Sequence, residues 1–161
     1  MKTLLDNKYK IESSLGEGKY SIVYLVKDIK TQKEYAAKII KQYSSNSENE
    51  LKICKIIKNQ IKSPYIIEFI ENGICSFKKG KIKIKNLEYY IFNYASKGHL
   101  WKYLYIKPFE EIPCKKIFEQ ILKGIKSFPE KGICNLDIKP YNILLDDNLS
   151  QKFVISLFQI L

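Results

Sequence analysis

Between Asn135 and Leu145 the chain reads Asn-Leu-Asp-Ile-Lys-Pro-Tyr-Asn-Ile-Leu-Leu. Asp137, Lys139 and Asn142 bring a carboxylate, an ammonium and an amide into one short stretch, with Pro140 between them. Proline fixes its own φ and turns the preceding residue away from helix, so the polar half is expected as a loop. Ile143 to Leu145 then reads as a short buried strand leaving that loop. A loop anchored to a strand can aim three such groups at one centre. Their chemistry suits phosphoryl transfer: the Asp accepts a hydroxyl proton, the Lys neutralises the moving phosphoryl group, and the Asn helps hold a metal ion. The competing reading is a polar turn that merely precedes a strand.

The elements that must position these groups come from one ordinary domain. At 161 residues, 45% hydrophobic and 28% charged, the chain has a soluble globular composition and enough length for a real core. The N-terminus has no apolar h-region, so no signal peptide is expected, and no apolar run is long enough to span a bilayer. A cytoplasmic protein without a membrane partner is expected. Cys54, Cys75, Cys114 and Cys134 have no C-x-x-C spacing, so reduced thiols are expected rather than a metal site. The net charge of +11 invites a nucleic-acid reading, but all 28 basic residues are lysines. Arginine is the preferred residue for bidentate phosphate and guanine contacts, so specific nucleic-acid recognition is not expected.

Tyr9, Ile11, Ser13 and Leu15 alternate with polar residues as a half-buried strand does. Gly16-Glu17-Gly18-Lys19-Tyr20-Ser21-Ile22-Val23 follows, and Tyr24-Leu25-Val26 continues a second strand. Two glycines at this turn let the backbone approach a ligand, with N–H groups facing phosphates. Strand–turn–strand is the wrong context for a dinucleotide fold, which needs a helix next. A third strand, Tyr35 to Ile40, carries Lys38 in an apolar run. Such a lysine either snorkels to solvent or finds a partner. Ser45-Asn46-Ser47-Glu48 fits a capping box opening a helix, and Ser47 with Glu50 fits equally. Glu50, Ile53, Cys54, Ile57 and Ile61 share one helical stripe. Glu50 is either an acidic first-turn residue favoured by the helix dipole or the partner of Lys38. Tyr65–Ile70 and Glu88–Tyr94 read as further strands. Lys78 to Lys85 reads as a strand extension with a solvated basic face, a pattern that also deters strand addition. His99, the one histidine, has no motif around it and reads as a surface residue. Leu100–Tyr105 suggests a short helix. Pro113 suits a helix N1 position. Ile117, Phe118, Ile121, Leu122, Ile125 and Phe128 form an apolar helical stripe whose full burial would contribute about 10 kcal/mol gross.

Taken together, these motifs resemble the eukaryotic protein kinase domain of the serine/threonine type. Asp137-Ile-Lys139-Pro-Tyr-Asn142 is similar to its catalytic loop, Gly16-x-Gly18-x-x-Ser21-x-Val23 to its glycine-rich loop, and Ala36-Ala37-Lys38 to its ATP-binding lysine strand. The resemblance implies an α+β fold. It would have a five-stranded antiparallel N-lobe sheet with one αC-type helix over residues 9–94. The beginning of a mostly helical C-lobe would follow over 95–161. It implies ATP as ligand, with Leu15, Val23 and Ala36 around the adenine and Phe92, Asn93 and Ala95 as gatekeeper and hinge. Gly16, Glu17, Gly18 and Lys19 would lie over the phosphates, Lys38 would contact them and pair with Glu50, and Leu144 would complete the binding set. Asp137, Lys139 and Asn142 would be catalytic, with Asn142 on Mg²⁺.

The departures are equally specific. Ser21 replaces the third glycine, and Asn135 and Leu136 replace the His and Arg of the catalytic loop. Ile155-Ser156-Leu157 stands where the family has Asp-Phe-Gly, and no acidic residue follows Asp147. The sequence stops at Leu161, so a C-terminally truncated and degenerate kinase domain is expected. Such a chain is expected to bind ATP, with Mg²⁺ and phosphotransfer to a protein substrate both impaired. The alternatives are a non-catalytic pseudokinase or interaction module with a protein partner, and a non-functional gene fragment with an exposed Phe153–Leu161 tail.

Overall fold

The computed structural model describes residues 4–42, 44–79, 82–106, 111–128, 133–135, 138–146, 151–153 and 158–160. The chain divides into two compact units: residues 1–47 with 69–94, and residues 48–68 with 95–161.

The first unit is a six-stranded antiparallel sheet, not the five-stranded one expected. Its strands are β1 (Leu4–Leu5), β2 (Tyr9–Glu17), β3 (Ser21–Asp28), β4 (Glu34–Ile40), β5 (Phe69–Lys79) and β6 (Ile82–Asn93). They lie in the order β1-β2-β3-β4-β6-β5. The extra strand is Leu4–Leu5, joined to β2 by Asp6, Asn7 and Lys8, with Asp6 and Asn7 at φ 50° and 52°. Asn and Asp tolerate this left-handed geometry, and the Lys8 N–H closes the turn on the Leu5 carbonyl at 3.0 Å. A two-residue strand carries too short an alternation to be read from pattern. What holds it is Leu5, fully buried against Tyr9, Val26, Ala37 and Ile91 in the sheet's apolar cluster.

β5 begins at Phe69, later than the strand expected from Tyr65, and continues through Glu71-Asn72-Gly73. Glu71 explains why a polar stretch sits in a strand. Its carboxylate takes both short bonds of Lys8 Nζ, at 2.7 and 2.8 Å, and the hydroxyl of buried Tyr9 at 2.7 Å. Tyr89, also buried, donates to Asp6 at 3.2 Å. Burial, with the neighbouring carboxylates, pushes the titration of both phenols well above their ordinary value. Burial also pushes the Cys75 thiol up to about 11, which leaves it inert at neutral pH. Cys54, Cys75 and Cys114 form no disulfide.

Helix α1 (Ser45–Gln60) follows β4. Its cap lies one residue upstream of the expected box. Ser44 Oγ accepts from the Ser47 N–H at 3.3 Å, and Ser47 Oγ accepts from the Ser44 N–H at 3.0 Å. Serine replaces the usual Glu or Gln because its hydroxyl can close the same reciprocal pair. Of the expected stripe, Ile53, Cys54 and Ile57 are buried on α1, Glu50 is half-buried, and Ile61 lies one residue past the helix end.

The second unit continues with β7 (Gly98–His99), α2 (Leu100–Ile106), α3 (Glu111–Lys126) and β8 (Ile133–Asn135). After a 3-10 turn at Pro140–Asn142 come β9 (Ile143–Leu145), β10 (Gln151–Phe153) and β11 (Phe158–Ile160). Pro113 lies two residues inside α3, still within the first turn where an N–H has no helical partner. The apolar stripe of α3 is only partly covered. Phe118 is 60% exposed and Leu122 49%, while Ile117, Ile121 and Phe128 are half-buried. Full burial of this stripe is not realised, because a helix face is buried only where another element lies on it. In the tail the backbone is paired, Gln151–Phe153 with β9 and Phe158–Ile160 with β8.

Two predictions follow from local geometry. A Cβ on Gly73 would fall 2.6 Å from the Tyr89 hydroxyl, and that ring is locked in the core. Gly73→Ala should lose about 1–3 kcal/mol in urea unfolding. A Cβ on Gly16 meets nothing within 4 Å, so Gly16→Ala should stay within about 0.5 kcal/mol of wild type. The second concerns Asp28, whose carboxylate accepts the N–H groups of Lys30 and Thr31 at 2.8 Å each. The Thr31 N–H, chiefly, holds its pKa below the ordinary 3.8. A depressed carboxylate stabilises the fold above its ordinary pKa, and that contribution fades as pH falls through the lowered value. The stability gap between wild type and Asp28→Asn, measured across acid pH, should therefore shrink as pH falls.

Candidate nucleotide and phosphoryl-transfer site

The site residues of the first unit are brought together by register. Gly16 pairs with Val23, Val23 with Lys38, and Lys38 with Tyr90. One row therefore crosses β2, β3, β4 and β6. The next row runs Ser13, Leu25, Ala36, Phe92 and Phe69. Residues in register share a face, so Gly16, Val23, Ala36, Lys38 and Phe92 stand on one side of the sheet. Ala37, Ile39, Tyr89 and Ile91 stand on the other, in the apolar cluster. Two strand spacings put the Gly16 backbone about 10 Å from that of Lys38.

The turn above this row is tight. The Gly18 N–H donates to the Ser21 carbonyl at 2.9 Å, and the Lys41 N–H to the Tyr20 carbonyl at 2.9 Å. Glu17 and Lys19 lie in it, but their side chains have local partners. The Glu17 carboxylate lies 3.0 Å from Lys41 Nζ, and Lys19 Nζ lies 5.0 Å from the Tyr20 ring. Leu15 sits at a register shift between Ser14 and Gly16 and is 39% exposed. Among the described residues a Cβ on Gly16 would meet nothing within 4 Å, and Gly16 has no left-handed φ. No internal contact requires a glycine there, whereas Tyr89 requires one at Gly73.

Lys38 lies in the first unit and Glu50 in the second; their pairing belongs to the function proposed below. Asn93 is half-buried at the end of β6 and Ala95 is buried just after it.

In the second unit the polar turn is held from two sides. Lys139 is extended at φ −149°, ψ 158°, as a residue before proline should be. The Asn142 N–H donates to the Lys139 carbonyl at 2.8 Å, closing the turn. β9 then pairs with both β10 and β7, with Leu144 opposite His99 and Lys152. The Lys97 N–H donates to the Leu145 carbonyl at 3.1 Å. His99 is exposed, as expected, yet it is not idle. Its Nδ1 lies 2.5 Å from the Tyr141 carbonyl, so it carries the proton and donates it. That bond, with a Trp101–Tyr141 stack, was not visible as a motif. The signals were a tyrosine between Pro140 and Asn142 and a single tryptophan at the start of α2. Asp137 and residues 154–157 lie outside the described residues, and with them the predicted base and the Asp-Phe-Gly position. Among the described residues no three His, Cys, Asp or Glu side chains group as a metal cage, and no helix is long and apolar enough to cross a membrane.

A glycine turn over a sheet lysine, followed by a Lys-Pro-x-Asn turn on a short strand, defines a kinase-type fold. The sequence profile of the protein kinase domain matches residues 9–157, and the chain belongs to that family. It is similar to CBL-interacting protein kinase 26 of Oryza sativa subsp. japonica, 28% identical across 94% of this chain and 29% of that protein. It is similar to serine/threonine-protein kinase PKH2 of Candida albicans, 32% identical across 92% and 16%. It is also similar to the probable serine/threonine-protein kinase YbdM of Bacillus subtilis, 29% identical across 89% and 55%. The chain thus spans between 16% and 55% of the length of these relatives.

Gly98 at φ +74° is what lets the chain turn back onto β9. Gly98→Ala should cost about 1–2 kcal/mol. Hydrogen exchange at Lys97 and Asn142 should accelerate with it, while exchange in β3 and β4 stays unchanged.

Proposed function

We propose that this domain binds ATP or ADP as a protein kinase-like module of the serine/threonine class, with little phosphotransfer of its own. The observation that carries the reading is the row Gly16–Val23–Lys38, in which an internally unnecessary glycine stands in line with a sheet lysine. A missing Cβ that the fold does not need leaves room for a close ligand. In this reading Leu15, Val23, Ala36 and Leu144 hold the adenine, and the backbone of Asn93 and Ala95 reads its edge beside Phe92. The backbone from Gly16 to Lys19 covers the phosphates, because the Glu17 and Lys19 side chains are engaged elsewhere. Lys38 neutralises phosphate charge and is itself oriented by Glu50.

Magnesium fits this donor set poorly. Mg²⁺ prefers carboxylates and gives up water reluctantly. Asn142 offers only an amide oxygen, and Ile155 stands where the family supplies its carboxylate. Loss of several kcal/mol of charge stabilisation lowers the rate by about a thousandfold or more. Nucleotide binding should accordingly depend little on Mg²⁺, and Ile155→Asp should raise that dependence without restoring turnover. The second reading, an active phosphotransferase, is favoured by one observation: Asp137, Lys139 and Asn142 all remain in the sequence. In it Asp137 takes the acceptor's proton and Lys139 steadies the transferred group.

Thermal-shift titration tests the proposal. A ligand that binds only the folded state stabilises by about 2.7 kcal/mol at a hundred times its Kd. Wild type should show a saturable shift with ADP and ATP, and Lys38→Met should lose it. Equal responses would overturn the nucleotide reading. Radiolabel transfer by the unmodified chain, abolished by Asp137→Ala, would return it to the enzymes.

A further inference from the structure

Helix α3 lies against β10. Half-buried Ile117, Ile121 and Phe128, with buried Gly124, mark its inward side. About a quarter-turn round the helix, at about 100° per residue, runs an outer apolar ridge. Cys114, Phe118, Leu122 and Ile125 form it, spaced four, four and three residues apart. All four are exposed, Phe118 at 60%, Leu122 at 49% and Ile125 at 38%. The apolar stripe of α3 is thus wider than the surface beneath it, and its outer half is open.

The charges beside this ridge identify what fits on it. Exposed Glu111, Lys115, Glu119 and Lys126 follow its outer edge. Lys116 and Lys123 lie on the opposite side of the helix from the ridge. Along the edge the signs therefore read minus, plus, minus, plus, and such a row read backwards is its own complement. Consider two copies of α3 laid antiparallel about a two-fold axis at Phe118, near the middle of the helix. Phe118 meets its own counterpart, and Cys114 comes level with Leu122 of the second copy. A two-fold axis brings like edges together, so the two charged rows meet. Glu111 lies one residue, about 1.5 Å of rise, from the level of Lys126 of the second copy. Glu119 lies two residues, about 3 Å, from the level of Lys115. Long side chains span such offsets, so every charge of the row faces the opposite sign. A parallel pair would set each charge against its own kind and align the two helix dipoles.

We infer that the outer ridge of α3 is a self-association face, on which two copies of this chain pair antiparallel about Phe118. The inference does not rest on the nucleotide reading. Exposed ion pairs add little affinity, and their part here is to choose the orientation. The face is also small. A 16-residue helix is about 24 Å long, and a face of that length falls well short of the about 800 Å² per partner of a standard interface. Each copy carries a net charge of +11, which opposes association further. The dimer is therefore weak and reversible, with a Kd on the order of tens of micromolar.

Sedimentation equilibrium of the whole chain tests this across the micromolar range, at about 0.15 M salt, where the screening length is about 8 Å. Wild type should follow a monomer–dimer equilibrium that goes no further. Leu122→Glu should weaken it at least about tenfold, since it sets a charge in the apolar ridge of both copies. Lys115→Glu and Glu119→Lys should each weaken self-association about fivefold. An equimolar mixture of these two variants should pair as tightly as wild type, because each supplies the charge that the other lacks. Circular dichroism on every variant separates a folding defect from a pairing defect, and the two charge variants change only exposed positions. A chain that stays monomeric throughout the range overturns the inference and leaves the face to another molecule. Growth beyond the dimer overturns it too, as does a folded Leu122→Glu variant that pairs as wild type does. A mixture that pairs no better than either charge variant alone overturns the antiparallel arrangement, and with it the inference.

Discussion

The unslipped register of β3 against β4 is the constraint on which the first unit depends. Side chains alternate faces with period two, so a slip of one residue would move Lys38 into the apolar cluster and Ala37 out of it. Burying an unpaired ammonium among Leu5, Val26 and Ile91 would cost several kcal/mol, which penalises the wrong register strongly. β3 and β4 accordingly pair without a bulge from Ser21–Ile40 to Lys27–Glu34. The irregularities fall on β2, at Ile11/Ser13 and Ser14/Gly16, and on β5. The sheet thus keeps its middle rigid and bends at the strand that bears the glycine turn.

The second unit solves a similar problem with far less structure. Its polar turn has no broad sheet to lie on, so individual bonds hold it. Pro140 pre-sets the turn, the Asn142 N–H closes it, and His99 and Lys97 fasten it and its strand to the segment around Gly98. Each such bond contributes only about 1 kcal/mol net. Their value lies in orientation: three short anchors leave Lys139 and Asn142 a common base.

How legible this was depended on how far each signal repeats. The resemblance to the kinase family implied that Val23, Ala36 and Lys38 serve one ligand, and the register of β3 with β4 sets them on one face; the Pro140 turn followed from proline chemistry and the Ile143–Leu145 strand from its apolar run. Signals without repetition were missed. Leu4–Leu5 is too short for a pattern, and its hairpin rests on two left-handed residues that sequence alone does not mark out. The Ser44–Ser47 cap uses a serine where a Glu or Gln was sought. The start of β5 at Phe69 was obscured because Glu71, polar in a strand, is explained only by Lys8 and Tyr9, more than sixty residues away in sequence. The α3 stripe was legible as periodic, but periodicity reports a face and not what lies upon it, and Phe118 and Leu122 are exposed.

Electrostatic economy links these parts. The chain carries a large cationic excess made of lysine alone. Most of it is solvated, where each charge contributes little. The carboxylates that matter are placed singly against it: Glu71 under Lys8 and Tyr9, Asp6 under Tyr89, Glu17 against Lys41, Asp28 in its own turn. All four lie in the first unit, clear of the row that holds Gly16 and Lys38 or occupied by local partners. The segments Ala95 to Phe109 and Ile138 to Leu145 of the second unit have none, but Asp137 and Asp146 flank the second of them. The four named carboxylates fasten the sheet, whereas the polar turn keeps charges of both signs, with Asp137 two residues before Lys139.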